Sequence, residues 1–480
     1  MDRLKMYIGG RWVDAEGGKT FTAISPVDRS ELALVPSASP ADVDKAVRAA
    51  EKAFHIWFHK SQDERSEVLC RIADAIRARA PEIAKLEALE HGTPYKEALG
   101  VTMGAAAKFE NTAWLAKTVM GDQLPVPGSN TISYLQREPV GVVGLIVPWN
   151  LPTIMIAVKL APALAMGNTC VLKPPTINSM IGLKFAEIIS TVEGLPEGAV
   201  NIVTGSGSVV GNAIATHPLV DMVGFTGSSE TGKSILAAAA GTVKKCVMEL
   251  GGNNPVIVMP GADLDEAMKV LGHRQFNNCG QHCSGLGRYY VHEDIHDEFV
   301  KRLAEVAAAQ VVGDPMNEDT TMGPVTSGEH QRKVEGYVTK SLEEGATLYY
   351  QQKKTAEHEK GFYVMPTILT DCRHDMTAAR EEIFGPVAVL IKYNDGDDIR
   401  FLANDSPYGL CAHVWTGDVA KGMELIDDLH VGAVFVNCQM LQENQPWGSG
   451  VKESGLGKEG AIMGLLEFTD QKLVCVKYRK

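Results

Sequence analysis

The stretch FNNCGQHCSG carries Cys283 on a turn flanked by glycines. A thiol on an irregular, reachable turn can act as a nucleophile once deprotonated, whereas most free cysteines are small core residues. Cys279, His282 and Cys283 also suggest metal ligands, but no second ligand pair at suitable spacing occurs elsewhere, so no metal is expected. His282 adjoins Cys283, and neighbours in an extended turn point apart, which makes a Cys-His hydrolase dyad a poor reading. In MELGGNNP, Glu249 closes a run of buried-type residues ahead of two glycines. A lone glutamate is usually a solvated surface group, but the C-terminal ends of parallel strands are where ligands bind. Two glycine-rich turns, GSGSVVG from Gly205 to Gly211 and FTGSSETG from Phe225 to Gly232, lie between strand and helix patterns. The first reads G-x-G-x-x-x-G, one residue longer than the usual dinucleotide fingerprint. Such turns can present backbone N–H groups and a helix N-terminus to a pyrophosphate. Ordinary tight turns are the competing reading.

These groups need a scaffold, and the pattern around them supplies one. MYIGGRWV reads as two short strands around Gly9-Gly10, and helical spacing begins over residues 40–54 and continues to about Met120. The polar, proline-punctuated segment 121–139 alternates Ile132, Tyr134 and Gln136 like an exposed strand leaving the body of a domain. From Asn168 to Leu250, β-branched runs at 169–172, 201–203, 222–225 and 246–248 alternate with helical stretches. A second series follows, with strands at 256–259 and 288–292, helices from about Asp263 and from about His296 to Gln310, and later runs PVAVLIKY, GLCAHVWT and GAVFVN. Strand-helix alternation implies parallel sheets covered by helices on both faces, here two α/β domains with a boundary near Gly251-Gly252. The tail LLEFTDQKLVCVKY alternates like an edge strand able to pair with another subunit.

The totals agree with this organisation. At 480 residues, two or three domains are expected, and 45% hydrophobic with 22% charged residues excludes a disordered chain. The charge of −13 carries no basic stripe, so nucleic acid is not an expected partner. Nine scattered cysteines fit a reducing compartment, the cytoplasm, rather than a disulfide framework. No secretory h-region opens the chain. The longest apolar stretch, 140–166, is broken by Pro148, Pro152, Lys159 and Pro162, so no membrane span is expected.

Seven motifs in order resemble the aldehyde dehydrogenase superfamily over essentially the whole chain: VPWN (147–150), LKP (172–174), FTGS (225–228), ELGG (249–252), GQHC (280–283), EEIFGP (381–386) and KESGLGKEG (452–460). The 34-residue step from Glu249 to Cys283 also fits. The resemblance implies an α/β fold of two doubly wound open-sheet domains, Rossmann-like for the cofactor and catalytic for the nucleophile, plus a small β oligomerisation arm. Residues 1–120 and 140–250 would form the NAD(P)-binding domain, 251–440 the catalytic domain, and 121–139 with 466–480 the arm of a homodimer or homotetramer. It implies oxidation of a small-molecule aldehyde to its acid with NAD(P)+ through a cysteine thiohemiacetal and thioester. Cys283 would be the nucleophile and Glu249 the general base. Asn150 would be an oxyanion donor with the backbone N–H of Cys283, and Glu459 a carboxylate near the proton path. Losing one oxyanion donor typically costs ~3–4 kcal/mol of barrier. For the cofactor, Lys173 would meet the adenosine ribose, Ser228 a phosphate, and Glu382 with Phe384 the nicotinamide half. Val147, Pro148, Trp149, Thr176, Gly205, Gly211, Phe225, Gly227 and Leu250 complete that set, with Pro148 and Trp149 mainly packing against Asn150. Asn437 would hydrogen-bond near the site.

Departures from the family pattern bear on specificity. NAD-preferring relatives commonly carry a glutamate three positions after the lysine of LKP, whereas this chain has Thr176 in KPPT. A carboxylate there would repel a 2′-phosphate by ~4 kcal/mol at 4 Å and an effective dielectric of 20. The KPPT run resembles NADP-linked non-phosphorylating glyceraldehyde-3-phosphate dehydrogenases, so NADP use is expected, with NAD not excluded. PWGSGVKESG is one residue longer than usual around Ser449, near the expected substrate entrance. By resemblance the substrate tunnel would use Leu151, Met155, His282, Ser284, Gln439 and Leu441. That mixed lining, without an unambiguous arginine pair for a dicarboxylic semialdehyde, favours a small or medium aldehyde, hydroxylated or aromatic. Cys279 is read as an inert core thiol, with a reversible disulfide to Cys283 as the alternative. A CoA-acylating dehydrogenase and a non-catalytic structural or binding protein on the same scaffold are the competing functions. Retention of Cys283, Glu249, Asn150 and Lys173 speaks against them.

Overall fold

The computed structural model describes residues 1–439 and 450–479. Runs such as MVGFT, VVGLI and TCVLK are apolar on both faces, as a sheet covered on both sides requires. They form the centre of an eight-stranded sheet. Its order is Gly455–Leu456, Lys245–Glu249, Met222–Thr226, Val142–Ile146, Thr169–Lys173, Val200–Ile202, Met6–Ile8 and Arg11–Val13. The five inner strands are parallel and the flanking ones antiparallel. Strand periodicity divides the core: Val143, Leu145, Cys170 and Leu172 pack on one face, and Val142, Ile146 and Val171 on the other. The helix Pro40–Phe58 starts at a reciprocal cap in which Ser39 and Asp42 bond each other's backbone N–H.

A second sheet has the order Thr347–Gln351, Thr367–Thr370, Val387–Tyr393, Leu286–His292, Asn254–Val258, Cys411–Trp415 and Ala433–Val436. It is parallel except for its first strand. The residues between Glu249 and Asn254 pass from one sheet to the other. After the second sheet the chain returns, and Gly455–Leu456 becomes the outermost strand of the first.

The tail strand Thr469–Lys477 pairs antiparallel with Thr131–Pro139 of the same chain over nine residue pairs. Asp122–Leu124 completes a three-stranded arm. The alternating tail thus finds its partner within the chain, with Leu473 and Val476 still exposed. One sheet has no counterpart in the sequence reading: Asp2–Arg3, Glu31–Pro36 and Thr20–Ile24. Among the described residues no helix is long and apolar enough to cross a membrane.

Candidate active site

The C-terminal ends of the first sheet's parallel strands and the N-terminal ends of the second sheet's supply the site from opposite sides. On the first sheet, the strand Lys245–Glu249 delivers Glu249 almost fully buried at its last position. On the second, the helical stretch expected from about Asp263 divides into Leu264–Ala267, a wide turn Met268–Gly272 and His273–Phe276. Asn278, Cys279 and Gly280 then take left-handed φ values of 48°, 56° and 67° in succession. That conformation costs about 1–2 kcal/mol for a residue with a Cβ, so the surroundings must impose it.

They do so with buried hydrogen bonds. Asn150 Nδ2 donates to Gln281 O at 2.9 Å, and Asn278 Nδ2 donates to Asn150 O at 2.7 Å. Gln281 Nε2 donates to Asn278 O at 3.0 Å, while its Oε1 accepts from Thr326 N at 3.1 Å. Asn254 Nδ2 donates to Cys283 O at 2.9 Å and Gly285 O at 2.8 Å, clamping the turn beyond. Gly280 has no room for a side chain, since a Cβ would lie 2.4 Å from Gly385 O.

Cys283 is half-buried, as a reachable nucleophile must be. Burial, then the Glu249 and Glu382 carboxylates, push its thiol up to about 12, while Arg274 pulls it down. At neutral pH it is a thiol, so a base must take its proton during attack. His282 is not that base. Burial holds its imidazole neutral, and Nε2 donates to Asn277 Oδ1 at 2.9 Å. Cys279 is buried and its Sγ donates to Gly323 O at 3.0 Å. Ser284 is buried and accepts a hydrogen bond from Arg274. Glu459 forms a buried ion pair with Lys159. Among the described residues no three His, Cys, Asp or Glu side chains form a metal-holding cluster.

The first sheet also carries the candidate cofactor cradle. Lys173 ends its strand, buried, with Nζ donating to Pro174 O at 3.0 Å; burial lowers its ammonium to about 8. Thr176 Oγ1 donates to Gly205 O at 2.9 Å, tying the KPPT run to the first glycine turn. The extra residue in that turn is absorbed by a wide turn over Gly207–Gly211, and a Cβ on Gly211 would touch Lys173 Cδ. Ser228 caps the helix Ser229–Ala239 by accepting from Thr231 N at 3.3 Å. Gly227 and Gly232 leave room for the Phe225 ring and the Leu250 side chain, so these two apolar residues pack the cradle. Val147 is buried and its N–H donates to Lys173 O.

Facing this cradle, Glu382 accepts from Gly252 N at 2.9 Å, and burial raises its carboxyl to about 7. A Cβ on Gly251 would lie 2.6 Å from Glu382 Oε2, which explains the paired glycines after Glu249. Phe384, at φ 59°, packs edge-on against Trp149 with centroids 5.3 Å apart. His330 joins these rings, and its Nε2 donates to Phe384 O at 2.8 Å. Burial lowers its imidazole to about 4. Leu151, Met155 and Gln439 are half-buried; Leu441 and the insertion at Ser449 lie outside the described residues. Asn437 pairs both amide atoms with the Thr416 backbone at 2.8 Å. Sequence reasoning missed His330, Asn254, Asn278, Gln281 and Arg274. No motif marks them, because their partners are distant in the chain.

Two parallel sheets facing a nucleophile turn, with a strand-end carboxylate and a glycine cradle, define a class of dinucleotide-linked enzymes acting through cysteine. The chain belongs to the aldehyde dehydrogenase family, which it matches over residues 12–474. It is 40% identical over 473 residues to a mitochondrial aldehyde dehydrogenase of Leishmania tarentolae, covering 98% of this chain and 94% of that one. It is 37% identical to the cytosolic 10-formyltetrahydrofolate dehydrogenase of Xenopus tropicalis, covering 99% of this chain but only 53% of the relative; the chain thus spans about half that protein's length. A betaine aldehyde dehydrogenase mutant of Staphylococcus aureus, solved with NAD+, superposes with a TM-score of 0.95 at 33% identity, covering 98% of this chain and 96% of that one. An NADP-dependent enzyme of E. coli gives 0.95 and 33%, covering 99% and 98%.

Proposed function

We propose that this chain is an NAD(P)-dependent, hydrolytic aldehyde dehydrogenase that converts a small-molecule aldehyde to its carboxylic acid. The observation that carries the reading is Cys283 on a clamped left-handed turn, within electrostatic reach of the strand-end Glu249. The cradle fits a dinucleotide: a buried lysine with one carbonyl partner, a serine-capped helix N-terminus, a glycine turn against Lys173, and Glu382 opposite. Lys173, Thr176, Ser228, Glu382 and Phe384 would hold the cofactor, which when bound supplies the hydride acceptor.

Glu249 takes the proton of the Cys283 thiol as Sγ attacks the aldehyde carbon. The resulting thiohemiacetal oxyanion meets the Cys283 backbone N–H and the second N–H of Asn150 Nδ2, whose first is held by Gln281 O. Loss of hydride from the carbon leaves a thioester on Sγ. Once that first proton has left Glu249, its carboxylate withdraws a proton from water as the water attacks the thioester and passes it to the departing Cys283 Sγ, releasing the acid and restoring the thiol. The buried Lys159–Glu459 pair is assigned to proton exit. Thr176 in place of a carboxylate supports NADP as an acceptable cofactor. The exposed apolar residues of the arm, Ile132, Leu473 and Val476, support a homodimer or homotetramer built through it. Nine thiols, none in a disulfide, support a reducing compartment such as the cytoplasm.

An aldehyde panel assayed with both cofactors, with Cys283→Ala as the blank, tests the activity. Absence of aldehyde-dependent reduction of either cofactor overturns it. A tenfold or greater kcat/KM advantage for NAD would refute the NADP reading.

A further inference from the structure

The helix Gly328–Glu343 begins at a Ser327 cap that accepts from His330 N at 3.2 Å, and one of its faces is spent on a single loop. His330, Val334 and Tyr337, at i, i+4 and i+7, stand in one row. His330 Nε2 donates to Phe384 O at 2.8 Å, and Tyr337 Oη donates to Glu381 Oε2 at 2.7 Å. A Cβ on Gly385 would lie 2.5 Å from Val334 Cγ1, so between these two bonds the helix rests directly on the loop backbone. The residues just ahead of the helix hold the other side of the site: Thr326 N donates to Gln281 Oε1 at 3.1 Å, and Gly323 O accepts from Cys279 Sγ at 3.0 Å. One continuous stretch, 323–337, therefore touches both the turn that leads to Cys283 and the loop that carries Glu382 and Phe384.

Phe384 is the strained member of that loop. Its φ of 59° is disfavoured for a residue with a Cβ, and such a conformation persists only where neighbours impose it. The carbonyl that His330 grips belongs to this residue. A carbonyl only accepts, so Nε2 carries the imidazole proton, and one bond fixes both the tautomer and the peptide. The His330 ring also closes a corner with Trp149 and Phe384, edge-on to both with centroids 5.0 and 6.0 Å away. We infer that His330 is a positioning residue: it holds the Phe384 peptide in its left-handed conformation and so sets the Phe384 ring, and Glu382 two residues before it, for the nicotinamide half of the cofactor. Tyr337 adds a second, weaker tie through Glu381. This rests on the dehydrogenase reading above and deepens it, by placing control of the nicotinamide end in a helix that no motif marks. The adenosine half is assigned to Lys173 and Ser228 on the other sheet, so it should not feel the loss of His330.

The test compares binding of the whole dinucleotide with binding of the same ligand cut short of nicotinamide: NAD+ against ADP-ribose, or NADP+ against 2′-phospho-ADP-ribose if NADP+ binds more tightly. Quenching of protein fluorescence measures each Kd without turnover. His330→Phe keeps a ring in the corner and loses the donor. It should weaken the whole dinucleotide about three- to tenfold, the range for one neutral hydrogen bond, and leave the shortened ligand within about twofold of wild type. His330→Gln, whose amide nitrogen stands as many bonds from Cα as the imidazole Nε2, should recover most of the loss. Equal weakening of both ligands in a folded His330→Phe, or no weakening of either, overturns the inference, and so does a His330→Gln no better than His330→Phe. Where His330→Phe does not fold, Tyr337→Phe at its half-exposed position decides by the same comparison: a selective loss of about twofold or more supports the inference, and an unselective loss or none overturns it. If the wild-type chain binds neither dinucleotide, the dehydrogenase reading fails; if it binds one and the variants show no selective loss, this inference alone fails.

Discussion

The two halves of the site are built by opposite means. The first sheet presents its groups at regular strand-to-helix junctions: Lys173, Ser228 and Glu249 each stand where a strand ends or a helix begins, in ordinary backbone conformations. The second sheet presents Cys283 from three successive left-handed residues, held by side chains of Asn150, Asn278, Gln281 and Asn254. A regular junction needs only local sequence and tolerates change. A strained turn needs distant partners and places one atom with little freedom. Cradling a long ligand over several weak contacts suits the first, and aiming a nucleophile suits the second.

The sharpest way to break this comparison is to remove the one first-sheet group that acts on the second-sheet thiol. Glu249→Gln should lower kcat by roughly a hundredfold to ten-thousandfold, the usual range for a general base. The burst of reduced cofactor should be lost along with turnover, because Glu249 also takes the Cys283 proton before hydride leaves, and Glu249→Asp should recover part of the rate. A retained burst followed by slow turnover would confine Glu249 to thioester hydrolysis. Next in size is a matched pair of glycine changes. Gly280→Ala forces a Cβ into Gly385 O at positive φ and should destabilise the protein by about 2–4 kcal/mol, with activity lost in step. Gly207→Ala, in the cradle turn with open space around it, should cost nothing and stabilise by up to about 1 kcal/mol. Thermal unfolding of both variants measures the contrast, and equal shifts would deny that strain is confined to the nucleophile side.

That division also explains what could be read in advance. The central strands of both sheets lie within a residue or two of where apolar runs bounded by Gly, Pro and polar residues place them, because fully buried strands leave no ambiguity of face, whereas the peripheral strands Thr347–Gln351, Thr367–Thr370 and Gly455–Leu456 have no counterpart among those runs. The runs at 169–172 and 222–225, for example, are observed as Thr169–Lys173 and Met222–Thr226. The cradle was legible for the same reason, its signals being local. The helix before Cys283 was not. Its break follows from bonds to Asn150, more than a hundred residues away, and to Gly323, and nothing in FNNCGQ dictates three left-handed residues in a row. The small sheet of Asp2–Arg3, Thr20–Ile24 and Glu31–Pro36 escaped because its strands are short and mostly half-exposed.

The cradle's own selectivity gives a smaller effect. Thr176→Glu should lower kcat/KM for NADP relative to NAD by at least about tenfold, through repulsion of the 2′-phosphate. It also replaces the hydroxyl that donates to Gly205 O, so a modest loss with both cofactors is expected alongside. Measuring both cofactors separates the two contributions: repulsion moves the ratio, while loss of the Gly205 bond moves both constants together.

The smallest effect separates the halves by sign. Burial lowers the Lys173 ammonium to about 8 and raises the Glu382 carboxyl to about 7. An anionic cofactor favours charged Lys173, so that contribution is complete below pH 8 and is lost as pH rises through it. Ribose hydroxyls donate best to ionised Glu382, so that contribution is absent at low pH and gained as pH rises through 7. Affinity should therefore peak between the two values and fall by at most about tenfold on either side within a pH unit or so. Cofactor binding measured by fluorescence across pH 6–9 checks this. Lys173→Gln should flatten only the alkaline limb and Glu382→Gln only the acidic one. If either substitution flattens both limbs, the two residues titrate as one coupled unit, and the sheets do not hold the cofactor independently.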